Sequence, residues 1–329
     1  MRAWPVRLRW RGQKAAVARL GLAAVGTGLA YLGQIRLEAN DLAIGLIWYG
    51  GALLLWIVAF AGATWLRDTG APPMRLLSRR AEFIALGAIL LVGLFFRLYR
   101  LTAIPVGLSI DGSANALKGL DILQGAPYQP LYLSRETMYH YFMAVFFRLF
   151  GANLMGLRMT SVFFGMLGLI AFHTLARELF DSRLALIATF ILATSVYHIT
   201  YSRTGWRAIQ VPVFQFLAFG CVLRAARSAQ PKRWSNVGWW ALGGAMLGLG
   251  LNTYEPFRFV VIALGLYVAS LLPRRGFLAG HWRGLLAFAA CMLLFFGPLG
   301  YEAVTHWASF NARASAVFIG ERMRQSKSW

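Results

Sequence analysis

Apolar runs recur along nearly the whole chain, several of them approaching the roughly 20 residues that a helix needs to cross a bilayer, and they limit the fold more than any other feature. They begin at 15–33 and return near 43–65, 82–101, 157–176, 184–199, 208–223, 239–251, 259–272 and 285–299. In hydrocarbon every backbone N–H and C=O must be satisfied within the chain, so runs this long leave the helix as the spanning structure. Composition agrees, with 58% of the 329 residues hydrophobic and 14% charged. A soluble domain is roughly half apolar and about a quarter charged. The chain reads as an all-α polytopic membrane protein with about nine spans.

The formal charge of +21 raises the question of nucleic acid. The basic residues do not form one stripe, however. They cluster in short loops: Arg67, Arg75, Arg79 and Arg80, then Arg177 and Arg183, then Arg224, Arg227, Lys232 and Arg233, then Arg274, Arg275 and Arg283. That is the positive-inside pattern, which sets topology and argues against nucleic acid as partner. The basic segment 1–14 before the run 15–33 resembles a signal peptide, but the run is long and no A-x-A site follows, so a retained anchor is expected. Arg97 and Arg100 fall at the outer end of the third span, where long stems can snorkel.

Residues 137–151 are apolar but short and carry His140 and Arg148. Were they a span, the loop 224–233 would face outward, against the charge rule. They are therefore expected as an interfacial helix on the outer surface. The domains follow: a two-span anchor over 1–80, a core over 81–303 with an outer loop at 102–152, and an outer segment over 304–329.

The outer loop holds the most informative polar stretch, IPVGLSIDGSANALKGLDILQGAPYQPLYLSRE at 104–136. Residues 113–124 have helical spacing and Gly125 suits a C-terminal cap. The alternation of spans brings Asp111, Glu136, Arg203, Arg207, Tyr254, Glu255, Arg258, Glu302 and His306 to one face. Arg203 and Arg207 are four apart, as are Tyr254 and Arg258, so each pair shares a face wherever the chain is helical. Carboxylates with arginines suit a base that deprotonates an acceptor while cations hold an anionic leaving group. Each has a plainer reading. Asp111 could cap a helix, Glu136 could pair with Arg135, the arginines could hold lipid phosphates, and Tyr254 could be an interfacial aromatic. Cys221 and Cys291 lie in apolar runs without paired spacing, and no histidine has metal-ligand spacing.

The region 83–313 resembles the GT-C membrane glycosyltransferases of the protein O-mannosyltransferase (glycosyltransferase family 39) and aminoarabinose transferase type. The resemblance rests on IPVGLSIDGSANALKGLDILQG, ETMYHYFMAVFFRLFGANLMGLRMTSVFFGMLGLIAFHTLARELF, SVYHITYSRTGWRA and LNTYEPFRF. It implies a GT-C bundle, a polyprenyl-phosphate sugar donor, an inverting transfer to a protein, lipid or glycan acceptor, and a site outside the plasma membrane. Asp111 falls on the family's first-loop aspartate and Glu136 on a later acid of that loop. Arg203 falls on the arginine near the donor phosphate, with Arg207 and Arg258 as further phosphate candidates. Tyr201, Tyr254 and Glu255 are carried over as substrate-binding candidates. Where the family usually has Asp-Glu, Gly112 follows Asp111 here. The family is also normally longer, so the chain is expected to be either a fragment or a shortened member. No cofactor is assigned, although the acidic outer loop could recruit Mg²⁺ or Mn²⁺. The rival classes are a lipid-anion flippase, which calls for broken helices or mid-span charges, and a non-catalytic membrane scaffold.

Overall fold

The computed structural model describes residues 7–39, 41, 44–45, 47–52, 54–55, 58, 76–132 and 135–317. The chain divides into two units, 1–71 and 72–329. In the first, α1 (Arg7–Glu38) runs for 32 residues with Arg36 in its last turn, a placement that suits the negative end of the helix dipole. The Tyr49 hydroxyl donates to Gln34 Oε1 at 2.9 Å. The expected span 43–65 is described only in part, and the basic loop at 66–75 and the end at 318–329 lie outside the described residues.

The second unit is a helical bundle. Its elements are α2 (Arg79–Leu98), α3 (Ile110–Leu123), the strands β1 (Leu131–Tyr132) and β2 (Arg135–Glu136), α4 (Met138–Phe150), α5 (Leu154–Leu179), α6 (Ser182–Thr194) and α7 (Val196–Tyr201). A 3-10 turn (Arg207–Gln210) then runs into α8 (Val211–Ala226), followed by α9 (Trp234–Leu251), α10 (Phe257–Leu271), α11 (Phe277–Thr305) and α12 (Trp307–Val317). β1 and β2 pair antiparallel, with Leu131 opposite Glu136. Ser78, Asn153 and Asp181 start α2, α5 and α6 by accepting first-turn N–H groups on their side-chain oxygens.

Among the described residues, four helical segments are long and apolar enough to cross a membrane: 79–98, 154–179, 207–226 and 277–305. Ser182–Thr194 and Phe257–Leu271 are apolar but shorter, so helix length carries four spans of the nine expected. α5 and α8 form the buried centre, while α2 and α11 are mostly exposed and present Phe83, Ile84, Leu91 and Leu294 outward. Such a broad apolar surface fits lipid. α9 lies close against α11 because Gly244 and Gly248 leave room. A Cβ at 244 would sit 2.0 Å from the Phe288 carbonyl oxygen, and one at 248 would sit 2.4 Å from that of Met292.

Contacts sort the helix ends into two groups. At one end Arg177 Nε lies 2.6 Å from Glu82 and His173 Nε2 3.4 Å from it. Leu76 and Leu77 N–H donate to Ser182 Oγ, Arg227 donates to the Glu178 carbonyl and Arg224 is 3.7 Å from the Glu178 carboxylate. Arg79, Arg80, Arg177, Arg183, Arg224 and Arg227 therefore gather at this basic end. At the opposite end α2 meets the 193–203 segment through Arg97 and Arg203, and Gln210 reaches the Thr253 carbonyl at 3.4 Å. Both termini of α4 are there. Glu136 before it pairs with Arg207, and α5 after it sends Arg158 to the Leu101 carbonyl. At about 1.5 Å per residue, α4 would extend roughly 20 Å against a hydrocarbon core of roughly 30 Å.

Three expectations are revised here. The run 184–199 is not one helix: α6 ends at Thr194, Ser195 is extended (φ −62°, ψ 124°) and α7 restarts beyond it. Arg97 supplies the reason, because its Nη1 donates at 3.1 Å to Ala193 O, one of the carbonyls orphaned by the helix end. Arg97 accordingly does not snorkel. It is 0% exposed and also donates to Gly93 O, Ser202 Oγ and His198 Nδ1. The last run is longer than 285–299, continuing as α11 to Thr305 with Pro298 inside it.

Candidate active site

α3 supplies the acid. Its N-cap is Ser109, whose Oγ accepts from Gly112 N–H at 3.0 Å, so capping does not account for Asp111. Asp111 is half-buried in the first turn of α3 and makes no hydrogen bond or ion pair among the described residues. The positive end of the helix dipole favours a carboxylate there. One turn further, Asn115 is buried; its Nδ2 donates to the Gly205 carbonyl at 2.9 Å and its Oδ1 meets His140 Nε2 at 3.0 Å. α3 thus lies directly on the 203–205 turn. Gly112 makes the approach feasible, since a Cβ there would fall 3.0 Å from both Thr204 O and Ser109 Oγ. A side chain at 112, where the Asp-Glu motif has its second acid, would press on both atoms.

A second group surrounds Arg207. Arg207 and Glu136 are 3% and 2% exposed and form an ion pair, Nη1 to Oε2, at 3.0 Å. Nη1 also donates to the Glu136 carbonyl at 3.3 Å, and the guanidinium lies 4.9 Å over the Tyr254 ring. Arg258 sits 3.8 Å from Glu255, 4.1 Å over the Phe310 ring, and donates to Phe310 O and Asn311 Oδ1. Burial pushes the Glu136 carboxyl up against the opposing pull of Arg207 and Arg258. Burial, with Arg207, Lys118 and Arg135 nearby, drives the His140 imidazole down to about 4, against a weaker raising contact from the Thr137 backbone. His140 is therefore neutral near neutral pH. Glu136, Arg207, Tyr254, Glu255 and Arg258 form one neighbourhood.

Arg203 is engaged elsewhere. It donates to Tyr99 O at 2.6 Å, to Ile104 O at 2.9 and 3.2 Å, and to Phe96 O. These bonds tie the end of α2 to the following loop. The cause is Gly205, whose φ of +72° breaks the helical path between 203 and 207, so a spacing of four does not put the two arginines on one face. Nor does the site accept a larger residue at 205, where a Cβ would lie 2.2 Å from Leu157 Cδ2. Arg158 repeats the device, donating to Leu101 O, to Pro105 O at 2.7 Å and to Gly107 O at 2.8 Å. The sequence pattern gives Arg97 only a snorkelling role and gives Arg158 and Lys118 none. The available signal was a cation inside an apolar run for the first two, and for Lys118 its seven-residue spacing from Asp111.

Tyr201 stands apart, its ring centroid 4.7 Å from that of Trp206. Glu302 and His306 pair with each other at 2.9 Å on the surface rather than joining the Arg207 group. Among the described residues, no three His, Cys, Asp or Glu side chains converge to hold a metal ion, so the Mg²⁺ or Mn²⁺ suggested by the acidic loop finds no ready cage. A shallow recess of about 560 Å³, lined by Leu272, Arg274, Arg275 and Trp282 among others, lies beside the start of α11 rather than beside Asp111.

Neither the curated proteins nor the solved structures contain a match to this chain. A family model described as dolichyl-phosphate-mannose-protein mannosyltransferase matches residues 134–301, just over half of the chain. The matched region contains the whole Arg207 neighbourhood and Arg203, while Asp111 lies before it. With apolar helices suited to a bilayer and this match across the bundle, the chain belongs to the dolichyl-phosphate-mannose-protein mannosyltransferase family of membrane glycosyltransferases.

Proposed function

We propose that the protein transfers a sugar from a polyprenyl-phosphate donor to an acceptor hydroxyl with inversion, using Asp111 as base on the extracytoplasmic side of the plasma membrane. The acceptor oxygen attacks the anomeric carbon while Asp111 takes the hydroxyl proton. The bond from that carbon to the phosphate oxygen breaks, and the polyprenyl phosphate departs as an anion. Arg207 and Arg258 oppose its negative charge. Glu136, held by Arg207, acts by fixing that guanidinium rather than as a second base. Tyr254 and Glu255 border the sugar, and Tyr201 lies towards the acceptor side. The family's description names mannose and protein, so a polyprenyl-phosphate hexose and a protein hydroxyl are the first substrates to test. No step is routed through a metal.

The observation that carries this reading is the half-buried, unpartnered Asp111 carboxylate, placed by α3 at the helix end opposite the basic residues. With the basic end in the cytoplasm, Asp111 faces outward. In membranes supplied with labelled polyprenyl-phosphate mannose, Asp111→Asn is expected to lower transfer by roughly 10²–10⁴-fold, the contribution of a positioned base. Unchanged transfer would remove Asp111 from the mechanism. Sidedness has its own test. Ile110→Cys, at a position 89% exposed, should react with a membrane-impermeant maleimide in intact cells, and labelling only after lysis would reverse the orientation.

A further inference from the structure

Lys118 is the buried cation at the Asp111 end that the proposed chemistry leaves unused. It is 5% exposed, yet its contacts are neutral: Nζ donates to Gln129 Oε1 at 3.0 Å and lies 4.0 Å from the centre of the Tyr132 ring. No carboxylate pairs with it among the described residues. An ammonium taken out of water is costly unless a counter-charge or a full set of acceptors replaces hydration. An amide oxygen and a ring face supply only part of that. The other cations nearby are provided for differently. Arg207 has Glu136 and Arg258 has Glu255, whereas Arg158 and Arg203 have several carbonyls each.

Position on the helix gives the second observation. Asp111, Asn115 and Lys118 are at i, i+4 and i+7 of α3 and share one face within roughly 60° of arc. Seven residues at about 1.5 Å separate the two charged positions by roughly 10 Å along the axis. An inverting displacement needs a similar span. A base lies about 2.7 Å from the acceptor oxygen, and that oxygen lies about 3 Å from the anomeric carbon. Beyond the glycosidic and phosphate bonds, a cation sits about 2.8 Å from a phosphate oxygen. Allowing for bends, the whole path is also roughly 10 Å. The surroundings are electropositive as well, since Lys118, Arg135 and Arg207 all disfavour a proton on His140.

We propose that Lys118 is a phosphate ligand for the lipid-linked donor: its ammonium exchanges Gln129 for a phosphate oxygen while Asp111, on the same face of α3, serves the acceptor. This rests on the glycosyl-transfer reading above. It assigns to α3 both ends of the reacting line, with the Arg207 neighbourhood flanking it.

Binding to the full-length protein in phosphatidylcholine nanodiscs, read by native mass spectrometry, tests it without requiring turnover. The probes are polyprenyl phosphate, uncharged polyprenol, inorganic phosphate and phosphatidylglycerol. Lys118→Gln is expected to weaken polyprenyl phosphate binding tenfold or more and to leave polyprenol binding unchanged, and Lys118→Arg to keep most of the affinity. Equal binding of polyprenyl phosphate by Lys118→Gln and wild type overturns the inference but leaves the proposed function standing. Parallel loss of polyprenol and polyprenyl phosphate, with a lowered unfolding midpoint, would mean a purely structural lysine and also overturns it. Displacement of the donor by inorganic phosphate or phosphatidylglycerol as readily as by polyprenyl phosphate would show a general anion or headgroup site, overturning the assignment to the donor. Failure of the wild type to bind polyprenyl phosphate at all would instead sink the donor reading itself.

Discussion

Arg203 and Arg207 are the same residue type, four positions apart, in one short segment, and the molecule uses them in different ways. Arg203 finds backbone carbonyls at the end of α2 and in the loop beyond it. Arg207 finds a carboxylate. The first, with Arg158, ties down the chain leading to Asp111 through carbonyls at the end of α2 and in the loop 101–107, while Arg97 takes a carbonyl left open at the end of α6. The second holds charge against charge where an anionic group can be met. A guanidinium bonded only to carbonyls keeps its positive charge uncompensated but offers few donors to a ligand. One set of arginines builds the frame, and the other belongs to the proposed site.

The largest expected effect tests the second set. Arg207→Ala strands the Glu136 carboxylate in a buried setting, a change that costs about 3–5 kcal/mol when one partner of a buried pair is removed. Adding Glu136→Gln removes the stranded charge and should restore most of the loss. Thermal unfolding in nanodiscs reads both. If the double variant melts no higher than the single one, packing over the Tyr254 ring rather than charge pairing is what Arg207 contributes.

Next in size is an effect of acid on His140. Its folded pKa of about 4 lies below the ordinary value of 6.5, so the folded state resists the proton that the unfolded chain accepts. The associated stability is present above about pH 6.5 and is lost as pH falls through about 4. A shift of that size corresponds to as much as about 3 kcal/mol. Unfolding midpoints measured between about pH 7 and pH 4 should fall further for wild type than for His140→Gln. Parallel curves for the two proteins would remove His140 from the electropositive group around Lys118 and Arg207.

Much of the helical plan was legible because apolar run length and charge asymmetry are properties of the chain itself. The same holds for Gly125, which follows α3 with φ +94°. What could not be read was where each polar side chain would be spent. Spacing predicted a shared face for Arg203 and Arg207, and one residue between them, Gly205, undid it. A cation at the edge of an apolar run suggested snorkelling for Arg97, yet the end of α6, 96 residues later in the chain, offered it a carbonyl instead. Gly112 stands where the motif has its second acid, and its place against the Thr204 carbonyl was not in the pattern. For Arg97 and Gly112 the deciding partner is remote in sequence, and local pattern does not contain it.

The smallest effect is the sharpest test of the comparison. Arg203→Lys keeps the charge but replaces a planar fork with a single nitrogen, which cannot reach Phe96, Tyr99 and Ile104 together. Loss of one or two such hydrogen bonds predicts a decrease of about 1–2 kcal/mol in stability. Donor KM should stay within roughly twofold of wild type if the carbonyls of Phe96, Tyr99 and Ile104 keep the Arg203 guanidinium. Arg207→Lys should behave in the opposite sense, raising donor KM by roughly tenfold, about 1.4 kcal/mol. Both quantities come from one set of assays in nanodiscs, with transfer rate followed against polyprenyl-phosphate sugar. A rise in donor KM for Arg203→Lys equal to that for Arg207→Lys would merge the two sets into a single phosphate site. A fall in stability without that rise keeps Arg203 in the frame, acting on the reaction only through where it holds the loop and Asp111.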